Sequence, residues 1–342
     1  MVKKLILPAA LILLVVMECA AFAAPKRIAL MLEGADTASA SGFNWICLEG
    51  MRKAQVRFGS KKVSAKYYNA LDDKDKLLPL LREAAASSDL VIITSAAYIR
   101  YLPEVMREYP ACSFLTFDAN NTEGVAEIVF REEEGGFLAG ALAAMMTARD
   151  DTERINADKK IGIILGEDVP PVERFKRGFI AGSWYIDPGV EVLYEYTHDF
   201  SDREKAARAA MKLKRAGVDV IFCVAGAASV GAIERAKEGG YWTIGVDMEL
   251  ESDFPEMVLT SVVKRSGHVI YKVIESFVQG QLSKDRFSIG LHEECLDIST
   301  WTREAKNNIP IDIRKRIDEL EEKISSGLIK IKDTNYQGIS VK

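Results

Sequence analysis

FREEEGGFLAGALAAMMT, residues Phe130–Thr147, is the stretch whose reading decides the fold. Glu132, Glu133 and Glu134 stand where a helix would begin, and carboxylates are favoured at the positive end of a helix dipole. The residues after them are small or apolar almost without interruption. Gly136, Gly140 and Ala143 fall at i, i+4 and i+7 and form one small-residue stripe, with Leu138, Leu142 and Met145 forming an apolar stripe beside it. The spacing predicts a helix that a neighbour can approach closely. Composition alone favours an ordinary core helix with an acidic first turn.

Outward from this helix, the chain alternates β-rich runs with amphipathic segments, the pattern of parallel sheets with crossover helices. Arg27–Leu32, Val63–Tyr68, Leu90–Thr94 and Ser113–Phe117 read as strands, with helices at Phe43–Phe58, Asp75–Ser87 and Ile99–Glu108. The strands are apolar on both faces, as buried parallel strands are. A charged connector, Arg149–Lys160, leads into a second unit with strands at Ile161–Leu165, Glu191–Tyr196, Val218–Val224 and Thr243–Val246. Its helices are expected at Val172–Tyr185, Arg203–Ala216 and Ser229–Lys237, with a strand at Val258–Val263 and a helix at His268–Val278 after them. The tail carries an amphipathic helix with Ile313, Ile317, Leu320 and Ile324 on one stripe and a solvated charged face.

At the N-terminus, Lys3 and Lys4 precede an apolar run, Leu5–Met17, and Ala21–Phe22–Ala23 offers a cleavage site before Ala24. The run is too short to span a bilayer comfortably, so it reads as a secretory signal peptide, residues 1–23, of an exported, periplasmic protein. Lipid anchoring through Cys19 is the alternative, and Glu18 immediately before it departs from the small residue that such a site prefers. Removing two lysines and one glutamate with residues 1–23 takes the formal net charge from −5 to −6, which argues against nucleic acid as a partner. Cys47, Cys112, Cys223 and Cys295 lack metal-site spacing and read as buried free thiols, with a disulfide left open by the exported setting. The three histidines are scattered, so neither a metal nor another cofactor is expected.

In open parallel sheets, ligands sit beyond the C-terminal strand ends. Glu33, Asp118, Gly226, Asp247 and Lys264 all stand there, and Phe43 and Asn44 open the first helix. Each has a plain alternative. Phe43 is as readily a core residue, Asp118 and Asp247 as readily cap loops or form salt bridges, and Lys264 suits a solvated strand end.

Taken with VPPVERFKRGFIAG (Val169–Gly182), VAGAASVGAIERAKE (Val224–Glu238), IGVD (Ile244–Asp247) and VLTSVVKR (Val258–Arg265), the opening stretch resembles the basic membrane protein family of bacterial solute-binding proteins. That family includes purine-nucleoside-binding lipoproteins that serve ABC transporters. The resemblance implies the type I periplasmic-binding fold, two Rossmann-like lobes with parallel sheets joined by three chain crossings. Those crossings fall near Ala126–Phe130, Asp247–Ser252 and Ser288–Cys295. The lobes are then 24–128 plus 249–290 and 129–248 plus 291–342.

The resemblance also implies roles. Phe43 and Phe175 stack on a purine base, Asn44 and Asp118 face its edge, Asp247 and Lys264 meet the ribose, and Gly226 offers its backbone where close approach is required. Lys264 is expected to neutralise Asp247 when the cleft is empty. Glu33, in L-E-G, replaces an aspartate of the family's first loop, and Ser41–Gly42 departs from the usual residues before Phe43, which leaves open a different small heterocyclic solute. The implied protein is a monomeric binding protein, not an enzyme, that hands a nucleoside-like ligand to an ABC permease. A ligand-sensing protein for a signalling receptor would use the same cleft. Nucleoside hydrolases and phosphorylases are disfavoured, because neither an aspartate-rich first loop nor a GxxxxGK[ST] phosphate cradle is present.

Overall fold

The computed structural model describes residues 24–34, 42–71, 73–118, 122–299, 301–331 and 339–341. The signal peptide with Cys19, and Ser41, lie outside the described residues. In chain order the elements of the first lobe are β1 (Lys26–Leu32), α1 (Phe43–Phe58), β2 (Val63–Asn69), α2 (Leu77–Ser87), β3 (Leu90–Ile93), α3 (Leu102–Glu108), β4 (Ser113–Phe117) and β5 (Ala126–Phe130). Next come α4 (Glu132–Thr147), β6 (Lys160–Leu165), α5 (Pro170–Ile186), β7 (Glu191–Tyr196), α6 (Arg203–Arg215), β8 (Val220–Val224), α7 (Ser229–Glu234), α8 (Ala236–Gly239), β9 (Trp242–Asp247) and β10 (Val258–Lys264). The last elements are α9 (Ser266–Val278), β11 (Arg286–Ile289), β12 (Leu296–Ile298), α10 (Arg303–Asn308), α11 (Ile311–Ser325), β13 (Ile329–Ile331) and β14 (Ile339–Val341).

Two six-stranded sheets result, ordered β11-β5-β4-β3-β1-β2 and β12-β10-β9-β8-β6-β7. Every pairing in the first is parallel, and in the second only β12 runs antiparallel, against β10. The expected α/β architecture of two parallel-sheet lobes is therefore present. Strands β3, β8 and β10 are buried at every residue, which explains their unbroken apolar runs.

The small-residue stripe does what its spacing predicts. A Cβ on Gly136 would lie 2.4 Å from the Phe175 carbonyl oxygen, and one on Gly140 would lie 1.9 Å from that of Phe179. Reciprocally, Gly178 and Gly182 of α5 would strike the carbonyls of Glu133 and Phe137, at 2.2 and 1.9 Å. Helices α4 and α5 thus touch backbone to backbone through glycines on both. The first lobe repeats the device, since a Cβ on Gly50 of α1 would lie 2.0 Å from the Gly267 carbonyl oxygen of α9. The Ile313, Ile317, Leu320 and Ile324 stripe of α11 is buried, and α11 packs on α4.

The second chain crossing differs from the sequence expectation. β10 is hydrogen-bonded between β9 and β12, so residues 249–264 belong with the second sheet, not the first lobe. The turn after Asp247 folds back within the second lobe, where Ser261 Oγ accepts from Leu250 N and donates to the buried Glu251 carboxylate, both at 3.0 Å. The crossing falls at Lys264–Ser266, and α9 then packs on α1. Residues 126–130, expected as a crossing, form the strand β5, and the chain passes over at Arg131. Arg131 also ties the first and third crossings together. Its guanidinium bonds Glu134 at 2.6 Å, the Ser288 carbonyl at 2.8 Å and Glu293 at 2.6 Å. Leu291 N donates to Glu134 at 2.8 Å, which completes the knot.

Cys47, Cys223 and Cys295 are buried and Cys112 half-buried, all four as free thiols.

Candidate binding site between the lobes

Both parallel sheets present their C-terminal strand ends to the cleft, and two aspartates there hold unusual backbone conformations. Asp118 comes directly after β4 with φ 54°, and Asp247 ends β9 with φ 71°. Left-handed backbone is uncommon for any residue with a side chain, is less so for aspartate, and clusters at ligand sites. Gly226, just after β8, has φ 54°, and a Cβ there would meet the Phe200 carbonyl at 3.3 Å. A side chain at 226 would strain the turn and narrow the approach.

Four charged side chains meet between the lobes. Lys264, the last residue of β10, donates to Glu132 Oε1 at 2.6 Å, and Arg174 Nε donates to Glu132 Oε2 at 2.6 Å. The same guanidinium donates to Asp118 Oδ1. Side-chain exposure is 0% for Glu132, 5% for Lys264, 8% for Asp118 and 10% for Arg174. Asp118 comes from the first lobe and Arg174 from α5 of the second, so this chain of ion pairs bridges the two.

Burial sets the electrostatics. Desolvation, and then the negative charge of Glu132, push Asp118 up to about 7, against the opposing pull of Lys264 and Arg174. Burial alone would lower the Lys264 ammonium, but Glu132, Asp118 and Asp247 together outweigh it and hold it above the ordinary lysine value. Burial would lower Arg174 as well, and its carboxylate partners reverse that. Glu133, beside Glu132, is raised to about 7 mainly by desolvation.

Aromatic groups frame the cations. The Lys264 ammonium lies 4.3 Å from the Phe130 ring centroid and 5.0 Å from that of Phe43, and both rings stabilise a buried positive charge. Asn44, buried beside Phe43, donates through its amide to the Glu33 carbonyl, and Ser95 Oγ donates to the Glu33 carboxylate at 2.5 Å. Tyr98 OH donates to the Leu32 carbonyl at 2.9 Å and braces the strand end that carries Glu33.

Of the residues singled out from the sequence, Phe43, Asp118 and Lys264 converge on one cluster, and Asp247 contributes to its field. Phe175 is placed differently: it is 3% exposed, with its ring edge-on to Phe222 at 5.8 Å, inside the second lobe. The ion-pair partner of Lys264 is Glu132, where Asp247 is expected, because the first turn of α4 brings a carboxylate onto the end of β10. Sequence reasoning misses Glu132 and Arg174 altogether. The acidic first turn of α4 reads as a dipole effect, and Arg174 is overshadowed by the aromatic residue next to it. Glu132 stands among Arg131, Glu133 and Glu134, and Arg174 beside Glu173 and Lys176, so nothing in the local sequence marks either charge as enclosed.

The geometry is that of a two-lobed α/β binding protein, with a charged and aromatic cleft at the strand ends. Residues 26–335 match the family described as ABC transporter substrate-binding protein PnrA-like, and the chain belongs to that family. It is 32% identical over 228 residues to basic membrane protein B of Borrelia garinii, covering 64% of this chain and 62% of that one. An uncharacterized lipoprotein of Pyrococcus furiosus is 26% identical over 333 residues, covering 85% and 81%. The chain spans less than two thirds of the length of the basic membrane proteins that it matches. Among solved structures, an ABC transporter solute-binding protein from Aeropyrum pernix superposes with a TM-score of 0.80 at 25% identity, over 92% of this chain and 95% of that one. Relatives named as lipoproteins and solute-binding proteins point to an extracytoplasmic location. No described helix is long and apolar enough to cross a membrane.

Proposed function

We propose that this substrate-binding protein captures a nucleoside, of the purine class, between its lobes and presents it to an ABC permease for import. The observation that carries the proposal is the convergence of an aromatic ring, Phe43, with the charged groups Asp118, Arg174 and Lys264 in one buried cluster where the two lobes meet. A nucleoside needs both kinds of group. Its flat base gains about 0.5–1.5 kcal/mol from each aromatic neighbour beyond area burial, and its edge and vicinal hydroxyls need charge-assisted acceptors.

In this reading Phe43 stacks on the base, and Asn44 and Asp118 meet the base edge. Asp247 accepts from the ribose hydroxyls, Lys264 donates to them, and the open turn at Gly226 admits the sugar. Glu33 shapes the base end through Ser95. The protein acts by binding, with no chemical step and no cofactor, and as a monomer. Closure drives selection only if closed lobes make contacts that open lobes lack, as groups contributed by both lobes would.

A thermal-shift panel tests the assignment on protein freed of copurified ligand by unfolding and refolding. A ligand at about a hundred times its dissociation constant adds about 2.7 kcal/mol of stability. Adenosine, guanosine or inosine should raise the midpoint while free ribose leaves it unchanged. A panel in which no nucleoside shifts the midpoint removes the nucleoside assignment and leaves the family membership intact.

A further inference from the structure

The opposite edge of the first sheet, where β1, β4 and β5 begin, carries features that ligand capture does not use. Helix α1 ends on this side in Lys53 and Arg57, and the turn after it holds Lys61 and Lys62. Lys26 N donates to the Lys62 carbonyl at 2.9 Å, which places the start of β1 beside that turn. Lys26 and Lys284 both line a cavity of about 260 Å³, with Phe114, Phe277, Leu282 and the polar Ser113 in its wall. The Lys26 ammonium lies 5.5 Å from the centroid of the Phe277 ring.

Two of the acidic groups near this face are neutralised by ion pairs, and a third keeps its charge. Asp89 is held by Arg27 at 2.6 Å, Glu275 by Lys272 at 2.7 Å, and Asp285 accepts from Ser283 Oγ. Lys26, Lys53, Lys62 and Lys284 have no ion-pair partner among the described residues. On a chain whose formal net charge is −5, this concentration of cations is local. Val56, on the last turn of α1 among those cations, is 85% exposed.

We infer that this face is a docking surface for an anionic phospholipid bilayer. Clustered lysines attract anionic headgroups within about a Debye length, and long lysine side chains keep their ammonium in water while their stems cover apolar surface. The lysines offer charge to the headgroups, and the exposed Val56 with the Phe277 and Leu282 side chains of the cavity offers apolar surface beside it. Because the cleft opens at the other ends of the strands, a docked protein keeps its cleft free.

Vesicle flotation tests this. Both sheets lie wholly within residues 24–342, so a chain starting at Ala24 keeps the fold and lacks the apolar run. It should float with phosphatidylcholine vesicles containing phosphatidylglycerol and stay behind with phosphatidylcholine alone, and high salt should release it. The variant Lys26→Glu/Lys62→Glu/Lys284→Glu should bind the anionic vesicles roughly a hundredfold more weakly, with its melting midpoint unchanged. Equal flotation with neutral and anionic vesicles overturns the inference, as does flotation with neither. A triple variant that folds and floats like the wild type overturns it as well.

Discussion

Arg174 of the second lobe is bonded directly to Asp118 of the first, so an ion pair spans the cleft at a carboxylate on which the ligand reading depends. Its guanidinium is also anchored on Glu132, which in turn holds Lys264. The pair occupies one Asp118 oxygen and links the lobes by a contact between side chains. Entry of a ligand that bonds Asp118 therefore exchanges one interlobe contact for another.

Arg174→Gln should loosen the empty protein. Asp118 and Glu132 would then face each other with less compensation, and breaking a buried pair costs about 3–5 kcal/mol. Small-angle scattering should give a larger radius of gyration for the ligand-free variant than for the ligand-free wild type. Identical radii would mean that the hinge segments, and not this pair, set the resting geometry.

The contribution of Asp118 and Glu133 to stability should fall as pH rises from about 4 to about 7. Asp118 and Glu133 both have folded-state values raised to about 7, above those of an unfolded chain, so the folded state binds more protons across that window. Their contribution is fully present below the unfolded values and is lost as pH passes the folded ones. Glu133→Gln should flatten the slope in chemical-denaturation series between pH 5 and pH 8, and an unchanged slope would remove Glu133 from the account.

Gly140→Ala should destabilise the second lobe despite the better helix propensity of alanine. Its Cβ would sit 1.9 Å from the Phe179 carbonyl, and a backbone atom cannot rotate away as a side chain can. Overpacking of this kind costs about 1–3 kcal/mol, against about 1 kcal/mol gained in propensity, so a lowered melting midpoint is expected. A raised midpoint would show that α4 and α5 can separate freely.

The packing of α4 was legible in the sequence because glycines at i and i+4 have one strong physical use in a buried helix, close approach. The paired sheets were legible because parallel strands buried on both faces read as unbroken apolar runs. The second crossing was not. Val258–Lys264 is apolar throughout and would suit either sheet, and its place between β9 and β12 depends on the turn that Ser261 and Glu251 hold closed. Asp118, Asp247 and Lys264 could be singled out from their positions at strand ends. Glu132 and Arg174 could not, since whether a charge on a helix is solvated or enclosed depends on what packs over it. Here Gly136 and Gly178 bring α4 and α5 so close that both charges are shut in.

Asp247→Ala should weaken nucleosides far more than the matching free bases, whereas Phe43→Ala should weaken both. Competition binding with each pair of ligands separates the two. Equal losses for nucleoside and base in Asp247→Ala would detach that residue from the sugar.

The most direct measurement is calorimetric titration of inosine, adenosine and guanosine into protein stripped of ligand by refolding. Saturable binding of at least one of them is predicted, at a single site per chain, with free ribose giving no saturable heat. Refolded, monodisperse protein that binds none of the three would contradict the nucleoside assignment.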